Sequence, residues 1–451
     1  MTEAAGALDP AEFDALMAPL GPFGAAPRLA AGVSGGPHSL ALALLAADWA
    51  RRRGGDLLAL VVDHGLRPGS GAEADGVLAT LARRGIGGRV LRLGLLPGPG
   101  AQERAREGRL AAMLGACAEE GRPWLLLGHH RVDQAETVLF RALRGSGPGG
   151  LSAMAPVRAE AAALVLRPLL GVAPARLEAE VAVAGLEPVR DPANADSRFA
   201  RTGLRRSLAD PAGTGPAVAA LAEAASAFGR RRAEAGSAVA SRLAVAARLR
   251  PEGHAEVDPL ALGNDEAADA ALAALLRAVG GAAWPPSTEA ARRLRRRGCG
   301  TLAGAWLRPG GAGWRVLREP GAVRAPVPAR PGALWDGRFR LMGPGAPDCA
   351  IGALGTPPAD LRRAARAVSA TILATFPAIW RDGVLVAVPA LLYPDSETCA
   401  RFALVFAPVG GPVAGWSRRS HACAKGRSRP AHSKPALPTP SPGSRVSGRG
   451  A

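Results

Sequence analysis

The sequence predicts an α/β fold: a parallel sheet with helices on both faces, followed by a helical domain and a small mixed or β-rich C-terminal domain. Three observations carry this. Between Arg28 and Leu170, short apolar runs alternate with longer helical patterns. The runs are almost wholly apolar instead of alternating with polar residues, as strands covered on both faces are. The turns after the first, second and fourth run carry Gly, Ser, His and Asp, and in such sheets ligands bind at the carboxyl ends of strands.

The first run, Leu29–Val33, leads through Ser34-Gly35-Gly36-Pro37-His38-Ser39 into a helix over Leu40–Arg53. A strand that turns into a helix this way leaves backbone amides without intrahelical partners at the positive end of the helix dipole, where a phosphate can be held. A Walker loop is excluded, because that motif needs a lysine and none precedes Lys425. The second strand, Leu57–Val62, runs into Asp63-His64-Gly65-Leu66-Arg67-Pro68. A helix over Glu73–Arg84, a strand over Val90–Leu93 and a helix over Gln102–Glu120 follow.

The fourth strand, Trp124–Leu127, ends in Gly128-His129-His130-Arg131-Val132-Asp133. A helix starting near Arg131 and running to Leu143 puts Asp133, Glu136 and Thr137 on roughly one face. That spacing suits holding Mg²⁺, positioning an amine or moving a proton; it equally suits an ordinary helix start whose acids complement the dipole. Gly145-Ser146-Gly147-Pro148-Gly149-Gly150 satisfies G-x-G-x-x-G but follows a helix instead of a strand, so it reads as a flexible loop.

A strand at Leu164–Leu166 and a helix over Pro174–Ala184 precede the polar stretch Asp191 to Arg201. Arg201, Arg205 and Arg206 beyond it face either phosphates or solvent. From Ala217 to Gly280 the pattern is helical, and Arg292 to Arg297 holds five arginines that suit RNA backbone contact or a basic surface helix. From Leu302 to Ala407 short runs between Gly and Pro indicate a small domain, and the Ser/Pro/Arg/Gly-rich stretch from Gly415 has the composition of a disordered tail. The expected division is residues 1–212, 213–325 and 326–413, then a basic tail, 414–451.

The formal charge of +18 implies attraction to a polyanion, nucleic acid first. Trp416 to Ala451 carries eight Arg or Lys and no acid, which leaves +10 on the remainder. The five cysteines form no C-x-x-C pair, which argues against a zinc ribbon or a disulfide framework. With neither a basic-then-apolar leader nor an apolar run of membrane-spanning length, the chain is expected to be a cytoplasmic protein.

Taken together, the loop Ser34–Ser39, Val62 to Arg67, Ala105-Arg106-Glu107, and Gly128 through Thr137 with Arg144-Gly145-Ser146-Gly147 resemble the tRNA(Ile)-lysidine synthases of the PP-loop ATP pyrophosphatase superfamily. Arg167-Pro168-Leu169-Leu170, Asp191-Pro192-Ala193-Asn194 and Phe199-Ala200-Arg201 add to the resemblance, which is strong over Arg28 to Arg206. It implies adenylation of carbon 2 of the wobble cytidine in a CAU anticodon, with release of pyrophosphate. Free L-lysine then displaces AMP. By the same resemblance, Ser34, Gly35, Gly36, Pro37, His38, Ser39, Asp63 and His64 bind ATP, and Asp133, Glu136, Arg106 and Arg201 are catalytic. Arg144, Arg205, Arg293 and Arg296 are expected to contact RNA, Asp133 to bind Mg²⁺, and a homodimer is an open possibility. The family's loop is Ser-Gly-Gly-x-Asp-Ser, and here His38 stands at the aspartate position; Val132 stands where a second aspartate is usual. Two rival readings are a PP-loop tRNA thiolase and an inactive tRNA-binding homologue.

Overall fold

The apolar runs assemble into one six-stranded sheet in the order β3-β2-β1-β4-β6-β5. Its strands are β1 (Arg28–Val33), β2 (Asp56–Asp63), β3 (Gly87–Arg92), β4 (Trp124–Leu127), β5 (Val157–Ala159) and β6 (Leu164–Leu166). The structure, a computed structural model, describes residues 6–65, 69–94, 101–160, 162–189, 203–204, 207–311, 313–366 and 368–408, without the side chains at 101–103, 106 and 148. It divides into two compact units, Met1–Ser237 and Ala238–Ala451.

All strands of the sheet run parallel except β5, which closes the edge antiparallel to β6. The side chains of β1 alternate between two apolar layers. Leu29, Ala31 and Val33 pack with helices α1 (Pro10–Met17), α2 (Pro37–Arg51), α3 (Ser70–Ala82) and α7 (Pro174–Val183). Ala30 faces the other way, with Leu60 and Leu125, onto Met113, Ala116 and Cys117 of α4 (Ala101–Glu119). The expected covering of both faces is thus met. Two further helices of this unit, α5 (Arg131–Leu143) and the short α6 (Pro148–Leu151), follow β4, and α8 (Pro216–Ala246) begins in it.

Helix α1 was not indicated by the pattern. It starts with a capping box between Asp9 and Glu12, and Glu12 also takes two bonds from Arg176 of α7. That guanidinium, with the Asp9 amide, holds the Glu12 carboxyl down at about 2. The glycine-rich stretch read as a flexible loop contains the helical turn α6, N-capped by Gly147. The reason is tertiary: Arg141 Nη1 donates to the carbonyls of Gly150 at 2.7 Å and Ala153 at 2.9 Å.

In the second unit the expected helical run to Gly280 is interrupted by a hairpin, Ala247–Leu249 with Ala255–Val257. Pro251 and Gly253 supply its turn, Gly253 with φ +81°. The hairpin extends an antiparallel sheet that includes Gly300–Leu302, Ala305–Gly310 and Gly313–Arg318, against which helix Glu266–Gly280 packs. Two smaller sheets complete the unit, one of four strands and one of three. No helix among the described residues is long and apolar enough to cross a membrane.

Candidate active site

The strand order reverses between β1 and β4: the chain winds outward from β1 through β2 to β3, then returns to place β4 on the other side of β1. A crevice outside the carboxyl ends of the strands is expected at such a switch point. Here it is flanked by the loop Ser34–Gly36 and by Gly128-His129-His130.

The first loop is held closed by Ser39. Its Oγ donates to the Gly36 carbonyl at 2.9 Å, accepts from the Ser34 amide at 3.1 Å and lies 3.2 Å from the Ser34 Oγ. Gly35 takes φ +82°, and a Cβ there would strike Val77 and Val189, while its carbonyl accepts the Val189 amide. Gly36 is the N-cap of α2, without a side-chain cap, and Pro37 is the first helical residue. The opening amides of α2 therefore have no intrahelical acceptor, which equips the turn for an anion.

Gly128 brings the second loop against the first. A Cβ on it would lie 3.0 Å from the His38 carbonyl oxygen and 3.3 Å from Ser39 Cα. The His38 and His130 rings meet edge to face, 4.2 Å between centroids, and His38 Nε2 is 3.7 Å from Glu178 Oε1 on α7. Burial first, and then His130, push the pKa of His38 down to about 4. Burial likewise pushes His129 down to about 4. Both imidazoles are neutral at neutral pH.

Helix α5 starts at Arg131, as expected, with His130 as N-cap. The His130 amide donates to Asp133 Oδ2 at 3.0 Å, and His130 Nε2 is 3.5 Å from the same oxygen. Asp133 thus serves the helix start and lies beside the His130 ring. One turn on, Glu136 is only 3% exposed, and the Thr137 hydroxyl donates to the Asp133 carbonyl. Val132 is buried in a small apolar cluster with Ala135 and Val218. At the end of β2, Asp63 accepts from the Ser70 hydroxyl at 2.6 Å and the Gly65 amide at 2.9 Å. Ser70 foremost keeps its carboxyl below the usual range. His64 follows it, half-buried.

Of the remaining expected residues, Arg144 lies over the Phe140 ring at 4.4 Å. In the second unit, Arg293 and Arg296 are exposed on helix Thr288–Arg297, while their neighbours Arg292 and Arg295 bind the buried Asp269. The side chain of Arg106, and Arg201 and Arg205 entirely, lie outside the described residues. Sequence reasoning missed Glu178, whose only signal was an acid on an amphipathic helix. It also missed Gln134, which is buried and clasps Met154 by both its amide and carbonyl, at 3.0 and 2.8 Å.

Residues 10–212 match the PP-loop domain family. The tRNA(Ile)-lysidine synthase of Methylobacterium sp. (strain 4-46) is 42% identical over 265 residues, covering 58% of this chain and 76% of that protein. That of Ruegeria pomeroyi is 33% identical over 382 residues, covering 80% of this chain and 88% of that protein. The chain belongs to the tRNA(Ile)-lysidine synthase family. A tRNA(Ile)-lysidine synthase of Methylobacterium nodulans, 43% identical over 253 residues and covered to 73% of its length, agrees. Membership makes the chain an enzyme of the ligase class.

Proposed function

We propose that this protein ligates L-lysine to carbon 2 of the wobble cytidine of a CAU-anticodon tRNA(Ile), through an adenylated cytidine, with AMP and pyrophosphate as by-products. The observation that carries this reading is the pairing of family membership with a phosphate-type loop at the switch point of the sheet. In this reading residues 1–212 carry the chemistry, 213–325 bind the tRNA, 326–413 form a small C-terminal domain, and the protein works in the cytoplasm.

The loop amides with Ser34, Gly35, Gly36, Pro37, His38 and Ser39 hold the phosphates of ATP, and Asp63 and His64 border the nucleotide. Negative charge developing on the leaving pyrophosphate meets preoriented amides, which need no rearrangement as the bond breaks. The lysine ammonium must lose a proton before it attacks, and in this reading Asp133 and Glu136 orient it and take that proton. Neutral His38 and His129 add no positive charge to repel the ammonium. Arg106 and Arg201 stabilise phosphate or the bound cytidine, while Arg144, Arg205, Arg293 and Arg296 meet the RNA backbone. The cytidine must leave its stack to reach the crevice.

Mg²⁺ enters as the ion that accompanies ATP. Among the described residues no group of three His, Cys, Asp or Glu side chains gathers to hold a metal. His38 replaces a hard oxygen ligand by a nitrogen, and the Asp133 carboxylate is engaged at the start of α5. The described residues therefore do not fit a metal cage belonging to the protein. A thiolase reading draws no support from the described cysteines: Cys117 is buried behind the sheet, its thiol pushed up to about 11 by burial.

The test is transfer of labelled lysine to an unmodified tRNA(Ile) transcript with a CAU anticodon, with ATP and Mg²⁺ present. A transcript carrying uridine at the wobble position serves as control. Label in the cytidine transcript alone is the expected result; label in neither, with the transcript still bound, rejects catalysis in favour of mere tRNA binding.

A further inference from the structure

Two arginines of the first unit are brought together where no carboxylate balances them. Arg141, in the last turn of α5, spends its Nη1 on the carbonyls of Gly150 and Ala153. Arg232, on α8, donates through its own Nη1 to the Ser152 hydroxyl, and Ser152, 2% exposed, donates in turn to the Gly149 carbonyl at 2.6 Å. Burial, and then the like charge of Arg141, push the Arg232 pKa down. Among the described residues neither arginine forms an ion pair with Asp or Glu. Elsewhere in the molecule, crowded guanidiniums are matched: Arg292 and Arg295 share Asp269, and Arg318 and Arg338 share Asp336.

Two guanidiniums held close without an acid repel one another, and partial withdrawal from water makes the repulsion stronger. An oxyanion between them removes the repulsion and gains charge-assisted bonds from a fork that suits phosphate geometry. Arg230 and Arg231, both exposed, precede Arg232 and extend the positive surface. The seat is built in advance, since Arg141 and Ser152 are fixed by backbone carbonyls of the Gly149–Ala153 turn. It lies ten residues along α5 from Arg131, about 15 Å from the crevice by helix rise. A few nucleotides of an RNA loop span that distance.

We propose that Arg141 and Arg232, the latter anchored by the Ser152 hydroxyl, form a seat for one backbone phosphate of the tRNA, flanking the nucleotide that enters the crevice. Arg232 is thus a positioning residue for the substrate, acting by fixing the register of the strand on α5. The inference rests on the tRNA reading above.

The experiment is equilibrium binding of the unmodified CAU-anticodon transcript to the full chain across a series of KCl concentrations. Wild type, Arg232→Gln and Arg232→Lys are compared, each checked for an unchanged melting temperature. Arg232→Gln is expected to weaken binding ~tenfold at low salt and to lower the slope of log K against log [salt] by about 0.7–0.9, the loss of one phosphate contact. Arg232→Lys should keep the wild-type slope. An unchanged slope in Arg232→Gln, even with weaker binding, overturns the seat, because a purely structural role does not alter counterion release. Equal losses in the Gln and Lys variants overturn it too. Failure of the wild-type chain to bind the transcript overturns the functional reading and the seat with it, which separates the two failures.

Discussion

His38 and His129 make stability depend on pH through their burial. Both have pKa values of about 4 in the fold against 6.5 for the free side chain. Above pH 6.5 neither the folded nor the unfolded form carries the proton, and the full stability is present. As pH falls from 6.5 toward 4, the unfolded chain takes up protons that the folded one refuses, and stability is lost. Denaturant unfolding compared at the two ends of that window should show His38→Asn and His129→Asn each reducing the acid loss by about 1–3 kcal/mol. An unaltered loss in both variants would place the acid sensitivity elsewhere. The pair was legible as polar residues in ligand-binding turns, but their neutrality was not, because it comes from packing. Glu178 escaped for the same reason: only the fold carries α7 to within 3.7 Å of His38.

At the scale of elements, the candidate site depends on the contact between two loops, and Gly128 permits it. Gly128→Ala puts a methyl group 3.0 Å from the His38 carbonyl, and backbone cannot yield as a side-chain tip does. Overpacking of this kind costs about 1–3 kcal/mol. The expected outcome is a lower midpoint in urea together with weaker ATP binding by calorimetry; a midpoint and affinity equal to wild type would mean the loops are free to separate. The sheet itself was readable because its central strands are continuous apolar runs. Edge strand β5, only Val157–Ala159, has too few residues for periodicity, and it forms by pairing with β6. The hairpin at Ala247–Val257 was hidden by its helix-favouring alanines, although Pro251 and Gly253 marked its turn. The Gly-rich stretch after α5 misled in the opposite sense, since glycines suggested mobility and Arg141 supplies order.

For the whole molecule the dominant quantity is the charge of +18, of which residues 409–451 contribute eight positive charges and no acid. Ending the chain at Pro408 should leave the melting temperature unchanged and weaken tRNA binding at low salt, with a shallower salt dependence. A steep fall in melting temperature would instead give the tail a place in the fold. Composition announced this attraction, whereas the arrangement of arginines did not follow from it. On helix Thr288–Arg297, Arg292 and Arg295 are tied to Asp269 and only part of the run faces water. An arginine count thus overstates the surface available to RNA. The capping bond from the His130 amide to Asp133 Oδ2 carries a last consequence. An amine that recruits this carboxylate must compete with the first turn of α5, and a lost cap costs about 1 kcal/mol. Affinity for the amine is then roughly fivefold lower than the carboxylate alone would give. Under the role proposed for Asp133, the first turn of α5 would compete with the amine for this carboxylate and leave the nucleophile less tightly held.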